Sequence, residues 1–505
     1  MRTNSVAIAA ILCLSLALGI SFAQEKEESA KTEPAKPETV KTETVAGKTK
    51  PDPAAETPSA KIAAKTVAAN LSNPKTSSKK AKPAKFAPFV AKSIDWLAAA
   101  QHKSGGWGGG SHANQQERDP HNVATDPATT AFATLALVRS GSTLESGPHK
   151  KQIKKATEYL LNNIEKAPDK GPLITERKGT QIQAKLGGIV DTTMTTQCLS
   201  RLLRETSKSH KLYSRIDTAL DKCLAKLQKA QKADGSWNVA GGWAPVLQSS
   251  NGQQALEMAQ AAGKSVSESA IQGARSYQKE NYSVSGKAAP ASRKASAGVE
   301  LYSFSGSFRG NAIDASSAEQ LVGQAKKEGK LKSDAKVSEK NLQEIGLDGD
   351  KAKELSDAWT RNKNQINRLN EKKLLKGFGN NGGEEFVSFL LTSESMIIAG
   401  GDKWPEWNDK MHGLFQKIQN PDGSWSGHHC ITSPVFCTAA AIQCLTADRD
   451  SEILREIADK SSKDKNRQEK KEANPKDDRK IEKVAPQSGS ADKKLKEETK
   501  EKSNQ

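Results

Sequence analysis

The sequence predicts an all-α fold, an (α/α)6 toroid in which a ring of six outer helices surrounds a ring of six inner helices. Three observations lead to this prediction: a motif that occurs three times, a regular alternation of two kinds of helix, and a near absence of strand-like alternation. Closure of the double ring buries the ends that an open array of helix pairs would have to cap.

The recurring motif has the pattern Gln-x-x-x-Gly-x-Trp and each time follows the end of an amphipathic helix. Its glycine supplies the turn beyond the helix. The glutamine can satisfy free backbone groups there, and the tryptophan can pack over the turn and hold it against a neighbouring helix. We therefore interpret the motif residues as structural. They are Gln101, Gly105 and Trp107; Gln231, Gly235 and Trp237; and Gln419, Gly423 and Trp425.

Two kinds of helix alternate between the motifs. One kind, such as Lys150–Ile164, has a single apolar stripe and lysines on its other face, which is typical of a helix on the outside of a protein. The other kind, such as Thr192–Leu203, is rich in Ala, Thr and Leu with few charges, which indicates burial on most sides. The outer helices are predicted near 86–101, 149–166, 213–231, 266–280, 338–372 and 405–420, and the inner helices near 126–142, 186–206, 246–263, 297–312, 384–400 and 432–447.

Aromatic residues delimit the folded region. All eight Trp and all five Tyr residues lie between Trp96 and Trp425, so the toroid is predicted to span 86–448. The flanks, 24–85 and 449–505, are charged mixtures that cannot bury enough apolar surface to offset the entropy of ordering. Both flanks are therefore predicted to be disordered.

A polar stretch is inserted beside the fifth pair of helices. Residues 313–375 are predicted to form a helical insertion, in which residues such as Leu342, Leu355 and Trp359 carry an apolar periodicity. Two interpretations stay open, a lid over the central cavity and an elaboration of the surface.

Residues 1–23 have the features of a signal peptide. Arg2 precedes the uncharged apolar run Val6–Ile20, and Ser21–Ala23 offers the small residues that cleavage requires. This run is shorter than the roughly 18 residues that a membrane-spanning helix needs. We therefore predict an exported protein, periplasmic or secreted, without a transmembrane helix in the mature chain.

The chain carries a net charge of +18, and much of its charge lies in the two flanks. Neither flank has the interleaved aromatic residues that are typical of nucleic-acid binding, so no nucleic-acid partner is predicted. We interpret the flanks as solubilising spacers, with attraction to anionic envelope polymers or membrane as the alternative.

The three motifs resemble the QW repeats of the squalene–hopene cyclase and protein prenyltransferase superfamily, and the resemblance covers about 86–448. Ala91–Trp107 is the fullest match. Gly382–Phe386 and Gly427–Thr432 resemble signatures of the exported bacterial prenyltransferase/squalene oxidase repeat proteins, which mostly lack an assigned reaction. The resemblance implies a toroid fold and by itself no reaction.

Two catalytic motifs of that superfamily are missing from the sequence. No D-x-D-D acid occurs, and the nearest run, Asp348–Asp350, stops short. No D-D-x-x-D occurs for a diphosphate and its magnesium. An aromatic content of 5% is low for a cavity that stabilises carbocations.

His428, His429 and Cys430 precede the last inner helix and are candidates for a metal site. Imidazole and thiolate are ligand types of zinc, and Cys437 or a nearby glutamate would complete the set. Two alternatives stay open: a disulfide bond between Cys430 and Cys437, and helix capping with ordinary burial.

Four carboxylates mark the starts of inner helices. Glu384 and Glu385 complement the dipole of one helix, and Asp126 and Asp191 fit the N-caps of two others. The alternative is acid–base or ligand chemistry at the mouth of the ring, where burial raises the pKa of a carboxyl group. Together with the two histidines, these groups would share one rim.

Two functional hypotheses follow. In the first, the chain is a binding or scaffold protein of the bacterial envelope that holds a lipid, a glycan or a protein in its central cavity or on its rim. In the second, it is an enzyme with a terpenoid-cyclase-like fold, whose catalytic groups are drawn from Glu384, Glu385, His428, His429 and Cys430. Stoichiometric zinc would favour the enzyme.

Overall fold

The computed structural model describes residues 85–282, 295–378 and 381–460. All of them lie in the second of two units of the chain, Pro58–Gln505. The predicted signal peptide, nearly all of the N-terminal flank and the tail after 460 lie outside the described residues. Within the described residues every regular element is helical, apart from two isolated β-bridges, which confirms the predicted all-α class.

The helices of the described residues are numbered here in chain order. They are α1 (Pro88–Ala99), α2 (Pro127–Arg139), α3 (Lys150–Lys166), α4 (Gln181–Leu186), α5 (Val190–Glu205), α6 (Tyr213–Ala230), α7 (Pro245–Ala261), α8 (Glu268–Glu280), α9 (Glu300–Lys327), α10 (Glu339–Glu344), α11 (Gly349–Arg368), α12 (Lys372–Leu375), α13 (Gly383–Ala399), α14 (Trp404–Ile418), α15 (Pro434–Leu445) and α16 (451–460).

Six helices form a closed inner ring in the order α2, α5, α7, α9, α13 and α15. Each packs against the next, and α15 packs against α2. Three of them begin with a proline (Pro127, Pro245 and Pro434), whose missing N–H costs nothing in the first turn of a helix. Every residue of α2 and of α15 is buried, as the low-charge composition of these segments predicts.

Six further helices, α1, α3, α6, α8, α11 and α14, pack on the outside of this ring. The helix α6 shows why, because its buried positions form one stripe that includes Ile216, Leu220 and Leu227. The double ring therefore has the predicted alternation of outer and inner helices. One predicted inner segment, 186–206, is broken at Gly187, where a φ of +77° separates the short α4 from α5.

Each motif glutamine joins the end of its own helix to the next outer helix. Gln101 Nε2 donates to the carbonyl oxygens of Gly105 at 2.8 Å and of Gln152, on α3, at 2.9 Å. Gln231 repeats this arrangement with Gly235 and with Ala270 of α8. Gln419 bonds in the same way to α1, and this contact links the last outer helix to the first.

Each motif tryptophan links three elements. Its indole N–H donates to a carbonyl ten residues earlier, as Trp425 does to Phe415 at 2.8 Å. Its backbone N–H donates to a buried hydroxyl of the next inner helix, as Trp425 does to Thr438 at 2.9 Å. Trp107 and Trp237 make the equivalent bonds, and all three side chains are buried. The motif residues therefore hold the rings together.

The fifth pair departs from the predicted boundaries. The insertion was expected to begin near 313, but that position lies inside α9. This helix continues to Lys327, because no proline interrupts its run of small buried residues. The second half of α9 forms a separate small core with α10 and α11, to which Val322, Leu342 and Leu355 belong. These segments lie at the far end of α9 from its start.

The chain after α15 also differs from the expectation of a tail from 449. Residues 451–460 are helical, and Leu454 and Ile457 are buried. Ion pairs and hydrogen bonds join this helix to the late parts of inner helices, as between Glu456 and Arg204 at 2.7 Å and between Lys460 Nζ and the Gln260 carbonyl at 2.7 Å. Packed chain therefore extends to 460.

Candidate functional site

The starts of the inner helices meet at one end of the ring, which we call the rim. It comprises Asp126, Asp191, Tyr302, Glu384–Glu385 and the segment 428–433 that leads into α15. The contacts described below join some of these residues in local groups.

Asp126 caps α2, because Oδ1 accepts from the backbone N–H of Thr129 at 2.7 Å and Oδ2 from that of Gly109 at 2.7 Å. Asp191 was expected to cap its own helix. Instead it is the second residue of α5, and its Oδ1 accepts from Ala128 N of α2 at 2.9 Å. Two buried carboxyl groups therefore serve one helix start. Burial, followed by the charge of Asp126, raises the pKa of Asp191 to about 7.

Glu385 is held entirely by hydrogen bonds that fix the start of α13. Its Oε1 accepts from the Tyr302 hydroxyl at 2.8 Å and from Phe378 N at 3.1 Å, and its Oε2 accepts from Gly382 N at 2.9 Å. Burial, then the charges of Glu385 and Glu384, raise the pKa of Tyr302 well above its usual range. This arrangement is the glutamate half of a capping box, extended by a tyrosine, because Gly382 at the N-cap has no side chain to make the reciprocal bond.

Glu384 has fewer partners. Its Oε2 accepts from Ile431 N at 3.3 Å, and burial followed by the charge of Glu385 raises its pKa to about 7. Lys185 lies close enough to oppose this shift, and its charge also acts on the Cys430 thiol. The Lys185 ammonium also sits 3.8 Å from the ring centre of the exposed Trp243.

Cys430, in the segment 428–433, and Cys437, on α15, lie in different surroundings. Cys437 is completely buried, and its thiol contacts the Ile431 carbonyl at 3.6 Å, whereas Cys430 is half-buried at the rim. Cys430 has a φ of +63°, which is unusual for a residue with a side chain, and the charge of Lys185 acts on its thiol. Both thiols are free, so the disulfide interpretation is wrong for this structure.

The proposed metal ligands do not converge either. His428 is exposed, while the His429 ring packs against Phe378 with ring centres 4.9 Å apart. Nowhere in the described parts of the chain do three or more His, Cys, Asp or Glu side chains form a group that could hold a metal ion. These residues do not fit a zinc site, because Cys437 is buried in the core, whereas His428 is exposed and His429 packs against Phe378.

The chain contains one Asp-x-Cys sequence, the zinc-ligand pattern of the protein prenyltransferases. It is Asp221-Lys222-Cys223 on α6. Cys223 is completely buried, whereas Asp221 pairs with Lys264 at 2.8 Å on the surface. The two side chains point in different directions, so this pattern forms no site.

The lumen of the ring holds a buried network of charges that the sequence did not predict. Glu394 of α13 pairs with Arg139 of α2 at 2.7 Å and with Arg309 of α9 at 3.0 Å. Arg309 continues to Glu257 of α7 at 2.6 Å, and Glu257 to Arg275 at 3.0 Å. All five side chains are at least nine-tenths buried. Buried charges of this kind are rarely tolerated unless paired, as they are here.

This network extends toward the end of the ring opposite the rim. Asp450, just after α15, pairs with Arg139 at 2.6 Å and with Arg201 of α5 at 2.8 Å. Because α2 and α13 are separated in the ring by α15, the Arg139–Glu394 pair spans the lumen instead of a helix–helix seam. The inside of the ring is therefore lined with ion pairs at this level, unlike an aromatic cavity.

A cleft of about 1000 Å³ opens beside the rim, and we call it the rim cleft. Its floor is apolar, and its edge carries basic side chains. The apolar lining residues are Leu375, Phe389, Met411, Leu414 and Ile418. The basic ones are Arg118, Lys372, Lys376 and Lys410, and the others are Gln116, Asn381, Ser426, Gly427 and His428.

Of the residues proposed from the sequence, only His428 lines this cleft. The sequence signal for the rest was present but weak: Met411, Leu414 and Ile418 share one face of α14, at a spacing that usually indicates packing against another helix. The structure leaves Leu414 and Ile418 partly exposed toward the cleft, whereas Met411 is buried. Among the described residues, no helix is long and apolar enough to cross a membrane.

Comparison with known proteins found one family. Residues 76–171 match the family model of the squalene-hopene cyclase C-terminal domain, a segment that contains α1, the first Gln-x-x-x-Gly-x-Trp motif, α2 and α3. No curated protein was found to match the chain. Taken with the closed double ring, this match supports a squalene cyclase-like protein of the prenyltransferase-repeat type.

Proposed function

We propose that this protein is an exported binding protein of the bacterial envelope, and that its ligand occupies the rim cleft. The observation that carries the proposal is an apolar-floored cleft of about 1000 Å³ on the surface of the ring. This volume is at the upper end of the ~300–1000 Å³ that is typical of small-molecule sites. A few polar groups around an apolar floor are also typical of such sites.

The lumen offers less support for a binding site. The Gln254 side chain of α7 donates to Glu394 of α13 at 2.7 Å, and Arg139 reaches the same carboxylate from α2. A ligand at this level would have to displace charges that are already paired, which carries a large desolvation cost. The rim cleft requires no such displacement.

Titration of the protein with Nile red, an uncharged dye that fluoresces in apolar surroundings, tests the proposal. We expect saturable binding of the dye, and an affinity at least tenfold lower in Leu414→Asp, which places a charge on the cleft floor. Leu321→Asp is the matched control, because Leu321 is also partly exposed but packs beside the separate core of α9 and α11.

Circular dichroism establishes that both variants are folded at the temperature of the titration. If the dye does not bind, or if Leu414→Asp binds it as well as Leu321→Asp does, the rim cleft is not the ligand site.

An enzyme with a terpenoid-cyclase-like fold is the second candidate, and one observation favours it. The Glu384 carboxyl group, with a pKa of about 7, lies near Lys185 and the Cys430 thiol. A carboxyl group that gains and loses a proton near neutral pH suits general acid–base catalysis. Burial of Glu384 to 3% exposure weighs against direct contact with a substrate.

A further inference from the structure

We infer that the ligand of the rim cleft is a single-chain amphiphile with an anionic headgroup, such as a long-chain fatty acid. This inference rests on the proposed function and adds the chemical class of the ligand. It depends on the separation of charge from apolar surface within the cleft.

The positive charge comes from three separate parts of the chain. Arg118 belongs to the loop before α2, Lys372 and Lys376 come from α12 and the turn after it, and Lys410 lies on α14. A single lysine-rich helix face would be an ordinary solvated surface, but here three segments converge on one opening. None of the described residues that line the cleft is acidic.

Two of these cations are held in place by neutral oxygen atoms. Arg118 donates from Nη1 to the carbonyl of Thr432, in the segment that leads into α15. Lys410 donates from Nζ to the Leu369 carbonyl at 2.7 Å and to Asn370 Oδ1 at 3.3 Å. Both positions are therefore fixed, and neither of these hydrogen bonds supplies a counter-charge.

The Lys410 ammonium group would be stabilised by an anion in the cleft. Its burial lowers the pKa of its ammonium group, and the charge of Glu406, one turn earlier on α14, only opposes this effect in part. An anionic headgroup at the cleft edge would offset the cost of keeping this ammonium charged in a partly buried place.

The floor fits a hydrocarbon chain. Leu414 and Ile418 of α14 and Leu375 of α12 are partly exposed there, and the buried Met411 and Phe389 lie beneath them. Apolar surface of this kind gains from being covered in proportion to the area removed from water. An alkyl chain along α14 with its headgroup among the basic side chains satisfies both parts of the cleft at once.

Competition against bound Nile red tests the ligand class with four C12 compounds below their micelle concentrations. They are dodecanoate, dodecyl phosphate, dodecanol and dodecyltrimethylammonium. We expect both anions to displace the dye with at least tenfold lower Kd than dodecanol, the cation to displace it least, and the advantage of the anions to shrink at high salt. The ratio of the two anions distinguishes a carboxylate from a phosphate headgroup.

The double variant Lys372→Gln/Lys376→Gln should lose most of the preference for anions and keep its affinity for Nile red. Lys151→Gln/Lys155→Gln, which removes the same charge from exposed positions on α3, is the control and should behave as the unaltered protein.

The outcomes separate the two proposals. Equal displacement by dodecanol and dodecanoate overturns the anionic ligand while the rim cleft remains a binding site, whereas failure to bind Nile red removes both. Retention by anionic vesicles without displacement by any free C12 anion would show docking to a membrane surface instead, which also overturns the inference.

Discussion

Gln254 on α7 donates a hydrogen bond from Nε2 to Oε2 of Glu394 on α13 at a distance of 2.7 Å. The two helices are not neighbours, because α9 lies between them in the inner ring. The bond therefore crosses the lumen, and the same carboxylate also binds Arg139 and Arg309. Side chains thus span the space in which a toroid enzyme would hold an apolar substrate.

Removal of the central carboxylate should be costly. Glu394→Ala leaves Arg139 and Arg309 with less compensation for their buried charges. Loss of one partner from a buried ion pair typically costs about 3–5 kcal/mol, and urea denaturation measures this loss. Asp357→Asn, which breaks the exposed pair with Lys353, is the control and should change little. Equal effects of the two changes would mean that the lumen is accessible to water.

The motif tryptophans should be structural. Trp425 is 0% exposed and Trp243 is 64% exposed, so the two test the same substitution in opposite surroundings. Trp425→Ala should cost about 3–5 kcal/mol, as is usual for a buried large side chain, and lower the Tm strongly, whereas Trp243→Ala should leave it nearly unchanged. His429→Ala, at the rim, should also fold normally. A stable Trp425→Ala would contradict the role of the motif.

At the motif glycine Gly235, the effect of close contact with a neighbouring helix can be separated from the effect of a positive φ by comparison with Gly263. Gly235 has a φ of +81°, and a Cβ there would lie 2.0 Å from the Gly273 carbonyl oxygen. Gly263 has a φ of +85° with nothing within 4 Å of its would-be Cβ. Gly263→Ala should therefore cost about 1–2 kcal/mol from conformation alone, and Gly235→Ala clearly more. Thermal melts of both variants measure the difference, and similar losses would mean that α8 moves aside freely.

The Glu384 carboxyl group should make stability depend on pH. Its pKa is about 7 in the folded chain against 4.5 as the usual value, so between these pH values the folded state holds a proton that the unfolded state has lost. The contribution of Glu384 to the free energy of unfolding should therefore fall as pH rises from 4.5 to about 7, by up to about 1.4 kcal/mol per unit of pKa shift.

Denaturation of the unaltered protein and of two variants at several pH values tests this expectation. Glu384→Gln cannot ionise, so its stability relative to the unaltered protein should improve as pH rises through that range. Glu344→Gln, at an exposed position on α10, should show no such trend. An unchanged pH profile in Glu384→Gln would show that the carboxyl group titrates normally.

Cysteine reactivity should single out one residue. Cys430 is half-buried, while Cys198, Cys223, Cys437 and Cys444 are buried. A thiol reagent should therefore modify one described cysteine in the folded protein and the others only after unfolding, and Cys430→Ser should abolish the fast reaction. Burial followed by the charge of Glu384 raises the pKa of the Cys430 thiol, so the reaction should accelerate at alkaline pH. A fast reaction that survives in Cys430→Ser would place the accessible thiol elsewhere.

Much of the fold was readable from the sequence because its signals are local. The stripe of α6 and the uniform burial of α15 follow from residue spacing within one helix. The indole bond of Trp237 to the carbonyl of Leu227 spans only ten residues. Such contacts recur wherever the motif recurs, and three copies were enough to predict two rings.

Contacts between residues that are distant along the chain could not be predicted from the sequence. Asp191 resembles the cap of its own helix, yet its oxygen accepts from Ala128, because α5 begins at Val190, two residues too early for Asp191 to be its N-cap, and α2 lies alongside. Cys430 and Cys437 are near in sequence, but the left-handed backbone of Cys430 and the burial of Cys437 point their thiols apart. Neither outcome leaves a pattern in the residues themselves.

The sequence by itself therefore determined the helical class, the pairing of inner and outer helices and the structural role of the motifs, since each depends on periodicity and short-range spacing. Only the tertiary structure decided what fills the ring and where it is open. Glu394 is an unremarkable residue of an apolar helix until ring closure brings Arg139 and Gln254 to it from other helices. Lys372 and Arg118 form one cationic edge only because the chain between them closes most of the ring.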